Sequence, residues 1–138
     1  MTHQDGPPAA AGLLAAMPFA ATLGITLEQA TPGQVTGRLA WSPDLCTAGG
    51  VLHGGALMAL ADSLGGICAF LNLPPGAGTA TISSATSMLR AVRGGEAIAT
   101  AHPLSTGRTV IVVQTDVRDG DGRLVAQTTQ SQAVLPAR

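Results

Sequence analysis

Charge is scarce in this chain. Of its 138 residues only 11% are Asp, Glu, Lys or Arg, and the formal net charge is −1. Aromatics are scarcer: Phe19, Phe70 and Trp41, with no tyrosine. A nucleic-acid surface needs clustered cations and rings on which bases stack, so no nucleic-acid partner is expected. Cysteine is limited to Cys46 and Cys68, which form no ligand pattern with each other and read as two thiols. His3, His53 and His102 are scattered, with no HxxxH spacing, so no metal is expected. No run of 18 apolar residues occurs, so no membrane partner is expected. The opening MTHQDGPPAA has no basic segment ahead of an apolar one, which gives no secretory signal. The reading is a soluble, cytoplasmic protein with a flexible start over residues 1–8.

What the chain does have is apolar material, 46% of it. So apolar a chain with so few charges is expected to cover part of its surface by self-association. The length suits one domain, 1–138. The segment AAAGLLAAMPFAATLG reads as a short helix interrupted near Pro18. ITLEQATPGQVTGRLAW reads as two strands around a Pro32-Gly33 turn. A long helix follows from Gly54 to Leu71, with Leu57, Leu60, Leu64 and Leu71 at the helix period. The period then changes to two. TATISSATSMLRAV, EAIATAHPL, TVIVVQTDVR and RLVAQTTQSQAV read as four strands. Their links are short, which predicts an antiparallel meander. A six-stranded antiparallel sheet curled around the long helix would bury it.

Asp62 sits in the middle of that apolar helix. At 100° per residue it points about 140° away from Leu57, so it does not share the leucine face. No cation stands at i±4, where Met58 and Gly66 are found. Either water reaches this carboxylate or it has a task, because an unpaired charge among apolar groups is costly. At the mouth of the same helix stands His53-Gly54-Gly55. Bare N–H groups at a helix N-terminus can hold an anion or a developing oxyanion. His53 could cap the helix, bind a ligand or simply pack. From His53 to Asp62 the helix rises about 13 Å and turns by about 180°, so one helix does not bring both to one carbonyl. Two antiparallel copies would, giving two equivalent sites by symmetry.

These residues resemble the PaaI-like acyl-CoA thioesterases of the hotdog-fold superfamily, the 4-hydroxybenzoyl-CoA thioesterase-like group. GGVLHGGALMALAD fits the G-x-x-H-G-G motif with an acid nine residues past the histidine. SMLRAVRGGEAIATAHPLSTGRTVIVVQTDVRDGDGRLVAQ is similar to the strands and hairpins that follow it in that family. The resemblance covers roughly Gly33 to Leu135. It implies an α+β hotdog fold with the sheet wrapped round the central helix, a homodimer, and often a homotetramer made as a dimer of dimers. It also implies hydrolysis of acyl-CoA to a free acid and coenzyme A, with no cofactor. In this resemblance Asp62 is the catalytic carboxylate and Gly54 supplies the N–H that polarises the thioester carbonyl. His53 supports the helix mouth, and Thr81 helps place water or the carboxylate. Thr47 stands where the family commonly has Asn or Gln; its hydroxyl is shorter and offers one donor for the amide's two. Gly66 stands where some aryl-CoA members have threonine.

The implied chemistry follows. Gly54 N–H and its helix dipole stabilise charge on the carbonyl oxygen. Asp62 of the other subunit acts as a base on water or attacks directly to form an anhydride. No GxSxG elbow supports a serine route. Arg90, Arg93, Gly107 and Arg108 are candidate contacts for coenzyme A. Leu57, Met58, Leu60, Leu64 and the strand from Thr81 to Leu89, with Met88 in it, are candidates for the acyl pocket, and Gly55 and Gly66 are candidates for contact with substrate. Two other functions compete: a hotdog hydratase or dehydratase, and a dimer that binds acyl-CoA without turning it over.

Overall fold

The computed structural model describes residues 8–138. The flexible start expected for 1–8 therefore lies, for residues 1–7, outside the described residues, and Pro8 opens the first helix. The elements are α1 (Pro8–Ala15), α2 (Pro18–Leu23), β1 (Thr26–Ala30) and β2 (Val35–Ala40), a single 3₁₀ turn (Pro43–Leu45), α3 (Gly54–Leu71), β3 (Gly78–Met88), β4 (Glu96–Thr106), β5 (Val110–Arg118) and β6 (Leu124–Leu135). The break between α1 and α2 falls just before Pro18, which has no N–H to continue a helix and sits in the first turn of α2.

All six strands form one antiparallel sheet in the order β1-β2-β4-β5-β6-β3. Strands β4, β5 and β6 make the expected meander. β3 does not join it beside β4. It pairs with β6 at the far edge, while β2 takes the place next to β4. A short link proved no guide to adjacency. The connection 89–95 must cross three strand spacings, about 14 Å, and seven residues reach up to about 23 Å. It is tied on its way by Leu89 and Arg90 N–H to Val125 O, and by Leu52 N–H to Val92 O.

The sheet curls around α3, which touches every strand. Leu57, Leu60, Leu64, Ile67 and Cys68 face inward with Val35, Leu39, Ile111, Val113, Val117 and Val125. Each fully buried leucine contributes about 1.5–3 kcal/mol. By length and composition α3 is apolar enough to cross a membrane, with mean hydropathy 1.6 over 18 residues and an acid in the middle. Here it serves as the core helix. One stripe of it stays uncovered: Met58, Asp62 and Phe70 are exposed, and Gly66 is half-covered. Beside that stripe runs β3, whose 11 residues are exposed along most of their length and carry neither charge nor proline.

Candidate active site

The mouth of α3 is built by a small loop. Thr47 N–H donates to Val51 O at 2.8 Å, and His53 N–H to Leu45 O at 2.8 Å. Gly49 and Gly50 make the reversal at φ 82° and 74°, a region open to glycine and strained for other residues. The Trp41 indole N–H, donating to Gly50 O at 3.0 Å, braces the turn.

His53 is the N-cap of α3, and its Nδ1 accepts from Gly55 N–H at 2.8 Å. Of the roles open to it, the structure places the histidine as a cap. Gly55 belongs to that cap: its N–H is taken, and a Cβ there would lie 2.9 Å from Nδ1. Gly54 N–H donates to no group among the described residues. It opens into a cavity of about 420 Å³ lined by Thr47, Leu57, Met88 and Arg90 among others. A Cβ on Gly54 would press on the Met88 methyl at 3.1 Å. The structure thus brings together Thr47, Gly54, Leu57, Met88 and Arg90.

Asp62 opens elsewhere, into an apolar hollow of about 350 Å³ between α1, α3 and β3. Leu13, Met17, Gly66, Ile67, Phe70 and Thr81 line it. Gly54 and Asp62 are about 12 Å apart along the helix axis and belong to separate cavities within one protomer. Asp62 is exposed, so water reaches this carboxylate in the single protomer. One side of it is nevertheless held. Its Oδ1 accepts from the Thr81 hydroxyl at 3.5 Å and from Gln130 Nε2 at 3.3 Å. Thr81 in turn accepts from Gln132 Nε2 at 2.7 Å, and Gln132 Oε1 accepts from the Thr79 hydroxyl at 3.1 Å.

Gln130 and Gln132 went unnoticed in the sequence. Their signal is there: in the strand VAQTTQSQ, alternation puts Thr128, Gln130 and Gln132 on the same side as Ala126. All four are buried. Three consecutive polar residues on the inner face of a strand mark a polar site beneath the helix.

Other expectations divide. Leu60 and Leu64 are 0% exposed. They belong to the core under the sheet and have no surface on either cavity, so the acyl role expected of them falls away. Met58 is exposed on the uncovered stripe of α3. Arg90 and Arg93 share a cleft of about 550 Å³ with Arg123, Asp119 and Asp121; Arg123 was overlooked. Its guanidinium pairs with Asp119 at 3.1 Å and Asp121 at 3.2 Å. Burial alone would raise the Asp119 carboxyl, but the N–H groups of Arg123 and Asp121 and the Arg123 charge outweigh it and hold the group below its ordinary value. Gly107 and Arg108 lie in the β4–β5 hairpin, where Gly107 N–H donates to Val110 O at 2.9 Å. That turn is at the opposite end of β5 from the Asp119–Arg123 turn, about 26 Å away along the nine-residue strand. Within one protomer Arg108 therefore does not join Arg90 and Arg93. Among the described residues no group of three His, Cys, Asp or Glu side chains could hold a metal.

A curled antiparallel sheet wrapped around one apolar helix, with a carboxylate at the middle of that helix, makes this a hotdog-fold protein. The family model described as Thioesterase superfamily matches residues 49–126, from the helix mouth into β6. The chain therefore belongs to the thioesterase superfamily of hydrolases. Human acyl-coenzyme A thioesterase 13 is 31% identical over 104 residues, 75% of this chain and 74% of that one. A mutant thioesterase from Pseudomonas aeruginosa superposes with a TM-score of 0.87 at 26% identity, covering 94% of this chain and 95% of its own. A thioesterase from Haemophilus influenzae gives 0.86 at 25% identity, covering 98% and 92%. A Haemophilus influenzae sequence 34% identical over 86 residues is spanned only to 62% of its length.

Proposed function

We propose that this chain, acting as one domain, hydrolyses an acyl-CoA thioester to a free acid and coenzyme A in the cytoplasm. The observation that carries the proposal is the division of labour along α3. The mouth offers an unpaired Gly54 N–H, and the middle offers an exposed Asp62 tethered on one side. They open into different cavities of one protomer, which supports a site completed by a second copy. The uncovered stripe Met58-Asp62-Gly66-Phe70 lies beside an edge strand with no protecting charge or proline. Unprotected edges invite pairing with another chain. A second copy packed there, antiparallel, would bring its own helix mouth to Asp62 and complete two sites by symmetry. A homotetramer formed from two such dimers fits the low surface charge.

In that assembly Gly54 N–H of one subunit stabilises the carbonyl oxygen as negative charge grows on it. Asp62 of the other removes a proton from attacking water, or itself attacks the carbonyl carbon; either route expels the coenzyme A thiolate. Thr47, beside Gly54, is suited to hold a water in the place of a longer amide. The Arg90–Arg93 side of the cleft shared with Arg123 continues from the helix mouth and suits phosphate groups. The apolar hollow beside Asp62 suits the acyl end. The name of the human relative, an acyl-coenzyme A thioesterase, supports the coenzyme A ester as substrate.

The test is thiol release from a panel of aliphatic and aromatic acyl-CoAs. Wild type is expected to release thiol and Asp62→Asn to lose that activity. Mixing Asp62→Asn with Gly54→Pro chains should restore one working site per heterodimer. Tight binding of acyl-CoA with no thiol released from any member of the panel would replace this reading with a binding protein.

A further inference from the structure

Gln130 is an expensive residue to keep. It lies on β6, 1% exposed, beneath the core helix. Its Oε1 is buried with no hydrogen-bond partner among the described residues, a cost that a leucine of similar size would not carry. It also dictates what can stand above it. A Cβ at Gly65, three residues beyond Asp62 on the same side of α3, would come within 2.0 Å of Oε1 and 2.6 Å of Cδ. Only glycine leaves room for the amide, so the helix accepts a poor helix former in its middle. Two separate sacrifices thus serve one contact, the Nε2 donation to Asp62 Oδ1 at 3.3 Å. The amide cannot turn over, because Oε1 would then face the carboxylate, acceptor against acceptor.

The second arm has the same end point. Gln132 Nε2 occupies a lone pair of Thr81 Oγ1 at 2.7 Å, which leaves the Thr81 proton to point at Asp62 Oδ1, 3.5 Å away. A bulge just after Thr81, at Ile82, changes the strand's register there. It keeps Thr81 opposite Gln132 while Ser84 falls opposite Gln130. Both donors converge on one oxygen, and Oδ2 accepts from no group among the described residues. Both distances are long, as catalytic hydrogen bonds often are before substrate binds.

We propose that Gln130 is a positioning residue that, with Thr81, saturates Oδ1 of Asp62 and so selects Oδ2 as the oxygen that acts on water or on the thioester carbon. This rests on the thioesterase reading of Asp62. Fixing one oxygen orients the other and removes the carboxylate's rotational freedom, which is where much of the advantage of a placed reactant lies.

The test is Gln130→Leu in the full chain, with acyl-CoA kinetics and thermal unfolding measured together. Leucine removes the unmet acceptor, so the variant should unfold at or above the wild-type temperature. Its kcat should nonetheless fall roughly tenfold or more, as for loss of a hydrogen bond to a charged group. KM should stay within about twofold, since a residue buried behind Asp62 meets no substrate. A residue kept only for structure would show the reverse, lost stability and intact kcat. Gly65→Ala reaches the same point without touching Gln130, by displacing its amide, and should lower kcat alike. Gly65→Ala with Gln130→Ala should recover the stability lost to the clash while kcat stays low. If Asp62→Asn abolishes hydrolysis while Gln130→Leu and Gly65→Ala both keep wild-type kcat, the positioning role is refuted and the thioesterase reading stands. If wild type hydrolyses no thioester, both fall together.

Discussion

Replacing His53 separates the two duties of the helix mouth. Among the described residues its side chain makes one hydrogen bond, accepting the Gly55 N–H at 2.8 Å as N-cap of α3. Removing an N-cap acceptor costs about 0.5–2 kcal/mol. His53 is exposed and water can partly replace it, so the lower half applies, about 0.5–1 kcal/mol for His53→Ala. For a chain of this length that is a fall in melting temperature of about 2–5 °C. Asparagine and aspartate are better caps than alanine, so His53→Asn and His53→Asp should melt within a few tenths of a kcal/mol of wild type or above it. Activity should follow a different order. Aspartate sets a negative charge next to Gly54, where the carbonyl oxygen of a substrate would gather its own. At about 5 Å and an effective dielectric near 20 the repulsion is about 3 kcal/mol, or on the order of 100-fold in kcat. Differential scanning calorimetry and thiol-release kinetics on the three variants measure both quantities. A His53→Asp protein as unstable as His53→Ala would refute the capping argument. One as active as wild type would refute the placing of developing charge at this helix mouth.

Two other outcomes follow from different parts of the molecule. Cys68 is wholly enclosed between α3 and the sheet, and burial pushes its thiol up to about 11 from an ordinary 9.0. The folded state then holds its proton more tightly than the unfolded state. The resulting stability is complete below pH 9 and is lost as pH rises toward 11, by roughly 2–3 kcal/mol. Urea titrations across that window should show this slope in wild type and lose it in Cys68→Ala. Ile82, 60% exposed at the bulge of edge strand β3, is the natural place to block pairing between copies. Ile82→Lys should shift the protein to monomer by analytical ultracentrifugation and abolish thiol release; an active monomer would sink the shared site.

Much of this fold was legible residue by residue because hydrophobic periodicity is local. The 3.6-residue spacing of Leu57, Leu60 and Leu64 announced α3, and the two-residue alternation after Pro75 announced β3 to β6. The direction of Asp62, away from the leucine face, also followed from helix geometry. The same geometry already implied that Leu60 and Leu64 are core, and assigning them to an acyl pocket overlooked it. The partner of β3 was not legible, because seven residues can span either one strand spacing or three.

By itself, then, the sequence determined the elements, the glycine mouth of α3 and the one acid in its middle, since each depends on neighbours a few positions away. Only the tertiary structure decided that Gln130, 68 residues beyond Asp62, lies under its carboxylate, and that Gly65 is the space the amide needs. Burial of a polar group is set by whatever the sheet brings against it, and that is a property of pairing between distant strands, which no local pattern encodes.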